Sequence, residues 1–165
     1  MKSIVVLALA TLAITPFASA AEAGFPEADP EVAIAVPEGW NSHYEDGRLY
    51  VTTPDELSVV VEVSALKSTK QEGAKALEEM KNEVNSAFEN VTFQPMQEGG
   101  SNNVGLYIIN AKGEDENGKV NLNAIMVTNG ENDKLYFVFV ASSPEAGDEH
   151  GEDIAAILGS IHRIE

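Results

Sequence analysis

Acid–base catalysis at neutral pH most often uses histidine, and the chain holds His43, His150 and His162, each in its own polar segment. No G-x-S-x-G turn supplies a nucleophile beside any of them, and no H-E-x-x-H sets two on one helix face. His150-Gly151-Glu152 echoes half of the deaminase zinc signature, but the P-C-x-x-C half is missing. The chain has no cysteine at all, so thiolate metal sites, cysteine nucleophiles and a lipidation box are excluded.

Carboxylates are the other candidates. Glu114-Asp115-Glu116-Asn117-Gly118 and Glu145-Ala146-Gly147-Asp148-Glu149-His150 gather oxygen ligands. Calcium takes roughly six to eight oxygens, usually from a loop of fixed spacing. Neither stretch has the EF-hand spacing or its terminal bidentate Glu, so acidic turns are the simpler explanation. Glu79 and Glu83 sit one turn apart on a helix and read as solvated surface. Gly99-Gly100 lacks the lysine of a phosphate loop, and Asn90-Val91-Thr92 fits the glycosylation pattern by chance. These residues give no catalytic, cofactor-binding or metal-binding set. A metal-assisted hydrolase or a divalent-cation-binding protein is the alternative they leave open.

The address is written more plainly than the chemistry. Lys2, the apolar run Ile4 to Ile14, Pro16 and Ala18-Ser19-Ala20 have the layout of a secretory signal cleaved after Ala20. The run is short for a bilayer span, and no later segment is apolar enough. The chain carries 10 Lys plus Arg against 27 Asp plus Glu, a net charge of −17. Cleavage removes Lys2 and no acid, making the product one unit more negative. Such a surface repels nucleic acid and anionic lipid and favours a protein partner with a basic surface. Periplasmic or secreted bacterial location follows from the signal and the missing cysteines.

The elements that would position any site centre on residues 104–142. VGLYIINAK, KVNLNAIMVT and KLYFVFVASS read as three antiparallel strands, apolar on both faces, with Leu135, Phe137 and Phe139 opposite Tyr136, Val138 and Val140. Strands of that kind are covered on both sides. Asn117-Gly118 suggests a type I′ turn, and 129–133 is a longer turn. Ahead of the meander, 21–31 reads as a flexible leader and Val32 to Val36 as a strand. Pro37-Glu38-Gly39-Trp40 is a turn, 41–47 a polar loop, and 48–52 and 57–63 are further strands. A helix over 68–90 carries a stripe of Ala74, Leu77, Met80, Val84, Ala87 and Phe88. Its capping box is Ser68 with Gln71 or Thr69 with Glu72. The 99–103 stretch is a loop. A last helix over 148–160 buries Ile154, Ile157, Leu158 and Ile161. The class is α+β: an antiparallel meander with helices on both faces, one domain from 32 to 165. Trp40 reads as a core plug, with a ligand or partner contact as its other use.

This order resembles the PsbP-like superfamily, whose bacterial periplasmic members include DcrB-like proteins. Pro37, Gly39, Trp40, Leu158, Ser160 and Ile161 stand at its markers. The resemblance implies an α/β/α sandwich and a non-catalytic, protein-binding or accessory role, and it carries over no functional residue. In an up-and-down meander the 115–116 turn and the 148–153 segment share one end of the sheet. Asp115, Glu116, Asp148 and Glu149, with Trp40, are therefore the candidate partner contacts.

Overall fold

The computed structural model describes residues 21–55 and 58–164. The signal-like segment 1–20 and Leu57, the expected start of a strand, lie outside them. In chain order the elements are β1 (Ala21–Phe25), β2 (Val32–Val36), β3 (Asn41–Glu45), β4 (Arg48–Thr52) and β5 (Val59–Ala65). Then come a 3₁₀ turn (Lys70–Glu72), α1 (Gly73–Ala87), β6 (Glu89–Phe93), β7 (Gln97–Ser101), β8 (Val104–Asp115) and β9 (Gly118–Thr128). The chain closes with β10 (Tyr136–Ser142), α2 (Pro144–Glu149), α3 (Gly151–Ser160) and β11 (His162–Arg163).

Strands β8, β9 and β10 form the expected meander within an eight-stranded antiparallel sheet, ordered β3-β4-β5-β10-β9-β8-β6 with β7 also on β8. Both faces are covered. Leu135, Phe137 and Phe139 pack under α1 with Ala76, Met80 and Val84. Tyr136, Val138 and Val140 face the other way, into a core shared with β2, Ala146 of α2 and Ile157 of α3. Each fully buried large apolar side chain contributes about 1.5–3 kcal/mol, so a strand with two apolar faces anchors both layers. A smaller sheet, β1-β2-β11, lies in the second layer, with α3 packed on β2.

Several expectations need correction. Residues 21–31 are not a flexible leader: β1 pairs residue for residue with β2, from Ala21 with Val36 to Phe25 with Val32. Ala23 and Phe25 are buried there. The 41–47 loop is strand β3 and a hairpin turn. Asp46 and Gly47 both have positive φ, 48° and 74°, between the pair Glu45 and Arg48, as a type I′ turn requires. Asn117-Gly118 is not such a turn. Its central residues are Glu116 and Asn117, and positive φ occurs only at Gly118, 125°. The Asp115 carboxylate accepts from the Asn117 and Gly118 amides at 2.7 and 3.0 Å, which holds the bend without left-handed residues at its centre. Residues 99–103 likewise belong to a hairpin, with Asn102 and Asn103 at positive φ between β7 and β8.

On α1, Ala76 is buried whereas Ala74 and Ala87 are exposed, so the buried row is Ala76, Met80 and Val84 at steps of four. The capping box is Thr69 with Glu72, the Thr69 amide donating to Glu72 at 3.1 Å. The last helix is two: Ser143 caps α2 by accepting from the Ala146 amide at 3.1 Å, with Pro144 at its first position, and His150 separates α2 from α3.

Candidate functional site

The densest polar cluster is built on Glu31, just ahead of β2. Its carboxylate accepts from the Tyr136 hydroxyl at 2.6 Å, from Asn132 Nδ2 at 2.8 Å and from Asn129 Nδ2 at 3.3 Å, and it pairs with the Lys134 ammonium. Asn129 is buried, and its Oδ1 accepts from the Glu131 and Asn132 amides, shaping the β9–β10 turn around the carboxylate. Lys134 and Tyr136 hold the Glu31 pKa down to about 2, against the opposing effect of burial. Burial, reinforced by the Glu31 carboxylate, pushes the Tyr136 phenol up. The cluster keeps one charge in place and moves no proton near neutrality. The sequence does not mark Glu31, whose partners lie 98 to 105 residues away.

The three histidines are held in separate structural contacts. His43 stacks on Tyr50 of the neighbouring strand at 5.3 Å. The His150 ring stands edge-on to Trp40 at 5.6 Å, and its Nδ1 is 3.7 Å from Asp153. His162 Nδ1 meets the Ser160 carbonyl at 2.9 Å. Glu79 and Glu83 are not a pair. Glu79 accepts from the Lys67 and Ser68 amides at 2.7 and 3.0 Å, while Glu83 reaches Arg48 at 3.7 Å. Burial pushes the Glu79 pKa up, but those two amides outweigh it and the net shift is down. Among the described residues no three His, Asp or Glu side chains converge as metal ligands would.

The candidate partner contacts fall at one end of the large sheet. Asp115 pairs with Gly118 at the tip of the β8–β9 hairpin, and β10 reaches the same end, with Ser142 opposite Asn121. Asp115 lines a groove of about 530 Å³ on the α1 side, with Phe88, Lys119, Phe139 and Ser143. Asp148 and Glu149 lie on α2, which packs through Ala146 into the opposite layer. The two acid pairs therefore straddle the sheet end. Trp40 joins the α2 side through His150. It is half-buried against the core, and the Trp40 amide closes its turn on the Pro37 carbonyl at 3.1 Å. At the opposite end, Glu131 pairs with Arg163 at 2.9 Å and Asp133 accepts from Gln71 at 3.1 Å.

No protein-family model matches the sequence, and no curated protein does. Solved structures do match. Cyanobacterial PsbP (CyanoP) from Synechocystis sp. PCC 6803 aligns over 94% of this chain and 99% of its own, with a TM-score of 0.62 and 12% identity. The chain has the PsbP-like fold. LpqN of Mycobacterium tuberculosis, involved in cell envelope biogenesis, shares it at a TM-score of 0.60 and 11% identity, over 88% of this chain and 91% of LpqN. The Ran-binding protein Mog1p of Saccharomyces cerevisiae shares it at 0.51 and 10% identity, over 87% and 95%. Within this PsbP-like fold the marker residues hold backbone together. Ser160 Oγ accepts from the Ala35 amide at 2.7 Å and donates to the Ile157 carbonyl at 2.6 Å, stitching the end of α3 to β2. Such markers report architecture and say nothing about chemistry.

Proposed function

We propose that this protein is an exported, non-catalytic binding or accessory module that docks on a basic protein surface through the acidic end of its large sheet. The observation that carries the non-catalytic part is the engagement of each histidine, and of Glu79 and Glu31, in separate structural contacts. A hydrolase needs base, nucleophile and electrophile within reach of one substrate, and here the histidines, Glu79 and Glu31 are each held apart in contacts of their own. The solved neighbours support an accessory role, since one is named Ran-binding and another is described by a part in envelope biogenesis.

The acidic end supports the docking part. Glu131 and Asp133 are tied to Arg163 and Gln71. Among the described residues no lysine or arginine pairs with Asp115, Glu116, Asp148 or Glu149. Exposed charges act over roughly 8–10 Å at ordinary salt, so they mainly speed encounter and set orientation. The secretory layout of Lys2, the apolar run Ile4 to Ile14 and Ala18-Ser19-Ala20 supports export. Affinity capture with tagged protein from its own cell envelope, at low and high salt, tests this reading. Salt-sensitive recovery of a basic partner is expected. Capture indifferent to salt would mean that the acids serve solubility alone.

A further inference from the structure

On the α1 side of the large sheet, at the end away from the β8–β9 turn, a cavity of about 320 Å³ opens between the start of α1 and the meander. Leu77, Tyr107, Met126 and Leu135 form its walls. Ala74 and Met96 line it too, and both are exposed; Met96, at 41%, is one of two large hydrophobic residues so exposed among the described residues. Ala74 belongs to the stripe that helical spacing assigns to the core, and here the expected cover is missing. Methionine and leucine walls adapt to a flexible alkyl chain. The volume lies at the lower end of the range for small-molecule sites, roughly 300–1,000 Å³. That suits one short chain better than a docking protein face.

One cation stands on the lining. The Lys70 amide donates to the Asp133 carbonyl at 2.8 Å, which fixes the residue there. Its ammonium is in no ion pair among the described residues, and the Asp133 carboxylate accepts from Gln71 instead. A chain with net charge −17 thus presents, beside its exposed apolar cavity, a positive group outside the ion pairs of the described residues. We propose that this cavity binds a single-chain amphiphile with a short alkyl tail and an anionic head. The tail lies among Leu77, Met126 and Leu135, and the carboxylate meets Lys70.

Titrating the protein calorimetrically with decanoate below its micelle concentration, and in parallel with decanol, tests this. Saturable binding of one decanoate per chain is expected, with decanol weaker. Ala74→Phe, which places a ring in the opening, should weaken both by about tenfold or more. Lys70→Gln should weaken decanoate several-fold and leave decanol unchanged. In the unmodified protein the methyl resonances of Met96 and Met126 should shift with the same saturation, a readout that needs no variant to fold. Absence of saturable binding, or binding with those methyl signals unmoved, would overturn the site. Equal affinity for decanol, unaffected by Lys70→Gln, would overturn the anionic class.

Discussion

The Tyr136 hydroxyl donates to the Glu31 carboxylate at 2.6 Å across 105 residues of chain. This bond ties the segment entering β2 to the β10 strand at the centre of the large sheet. Lys134 and the two turn asparagines complete the clamp.

Breaking the clamp should cost stability in a pH-dependent way. The folded-state pKa of Glu31 is about 2, below the ordinary 4.5. Its contribution is therefore fully present above about pH 4.5 and is lost as pH falls through about 2. Glu31→Gln is expected to destabilise by about 2–3 kcal/mol at pH 7, since bonds to a charged acceptor are lost. Urea melts of both proteins from pH 7 down to pH 2 check this; the gap should close at the acid end.

Trp40 closes its turn and packs edge-on to His150 while keeping part of its ring in water. Trp40→Ala should cost about 2–3 kcal/mol, less than for a fully buried ring. Unchanged denaturation midpoints together with lost partner capture would make the ring a partner contact and not a core plug.

Gly47 sits at φ 74° in the Asp46-Gly47 turn, with nothing within 4 Å of a would-be Cβ. Gly47→Ala therefore meets conformational strain alone, expected at about 1–2 kcal/mol. Thermal melts read it, and a neutral result would argue against the left-handed turn.

Reversing Asp115, Glu116, Asp148 and Glu149 to Lys should weaken partner capture and flatten its salt dependence. The same reversal at Glu131 and Asp133 should matter less for capture but lower the melting temperature slightly, because Glu131 pairs with Arg163. Equal loss of capture from the two sets would remove the acidic end as the docking surface.

Millimolar calcium should leave the melting temperature nearly unchanged. A ligand bound only to the folded state raises it in a saturable way, and the acidic turns supply few converging oxygens. A large rise that magnesium fails to reproduce would establish a cation site.

What was legible in the sequence was whatever burial writes into periodicity. Phe137 and Val138 point to opposite cores, and an unbroken apolar run says so. Strand β3 is exposed at all five positions, so Asn41 to Glu45 carry no alternation and look like loop. Strand β1 hides for another reason: in AEAGF only Phe25 has a large buried side chain, and the strand is recruited by its pairing with β2. The candidate site was legible only as charge. Asp115 and Asp148 could be assigned to one end from topology, but their placement on opposite faces depends on how α2 docks. Glu31 was invisible because every partner is distant in sequence.

The smaller sheet has a consequence for the order of assembly. Ala33 pairs with His162, so its third strand follows the whole large sheet in chain order. The meander closes through local hairpins, whereas joining β11 to β2 closes the chain from Ala33 to His162 into one loop, at greater entropic cost. A nascent chain can therefore build its central sheet early. The second layer stays unlatched until β11 reaches β2.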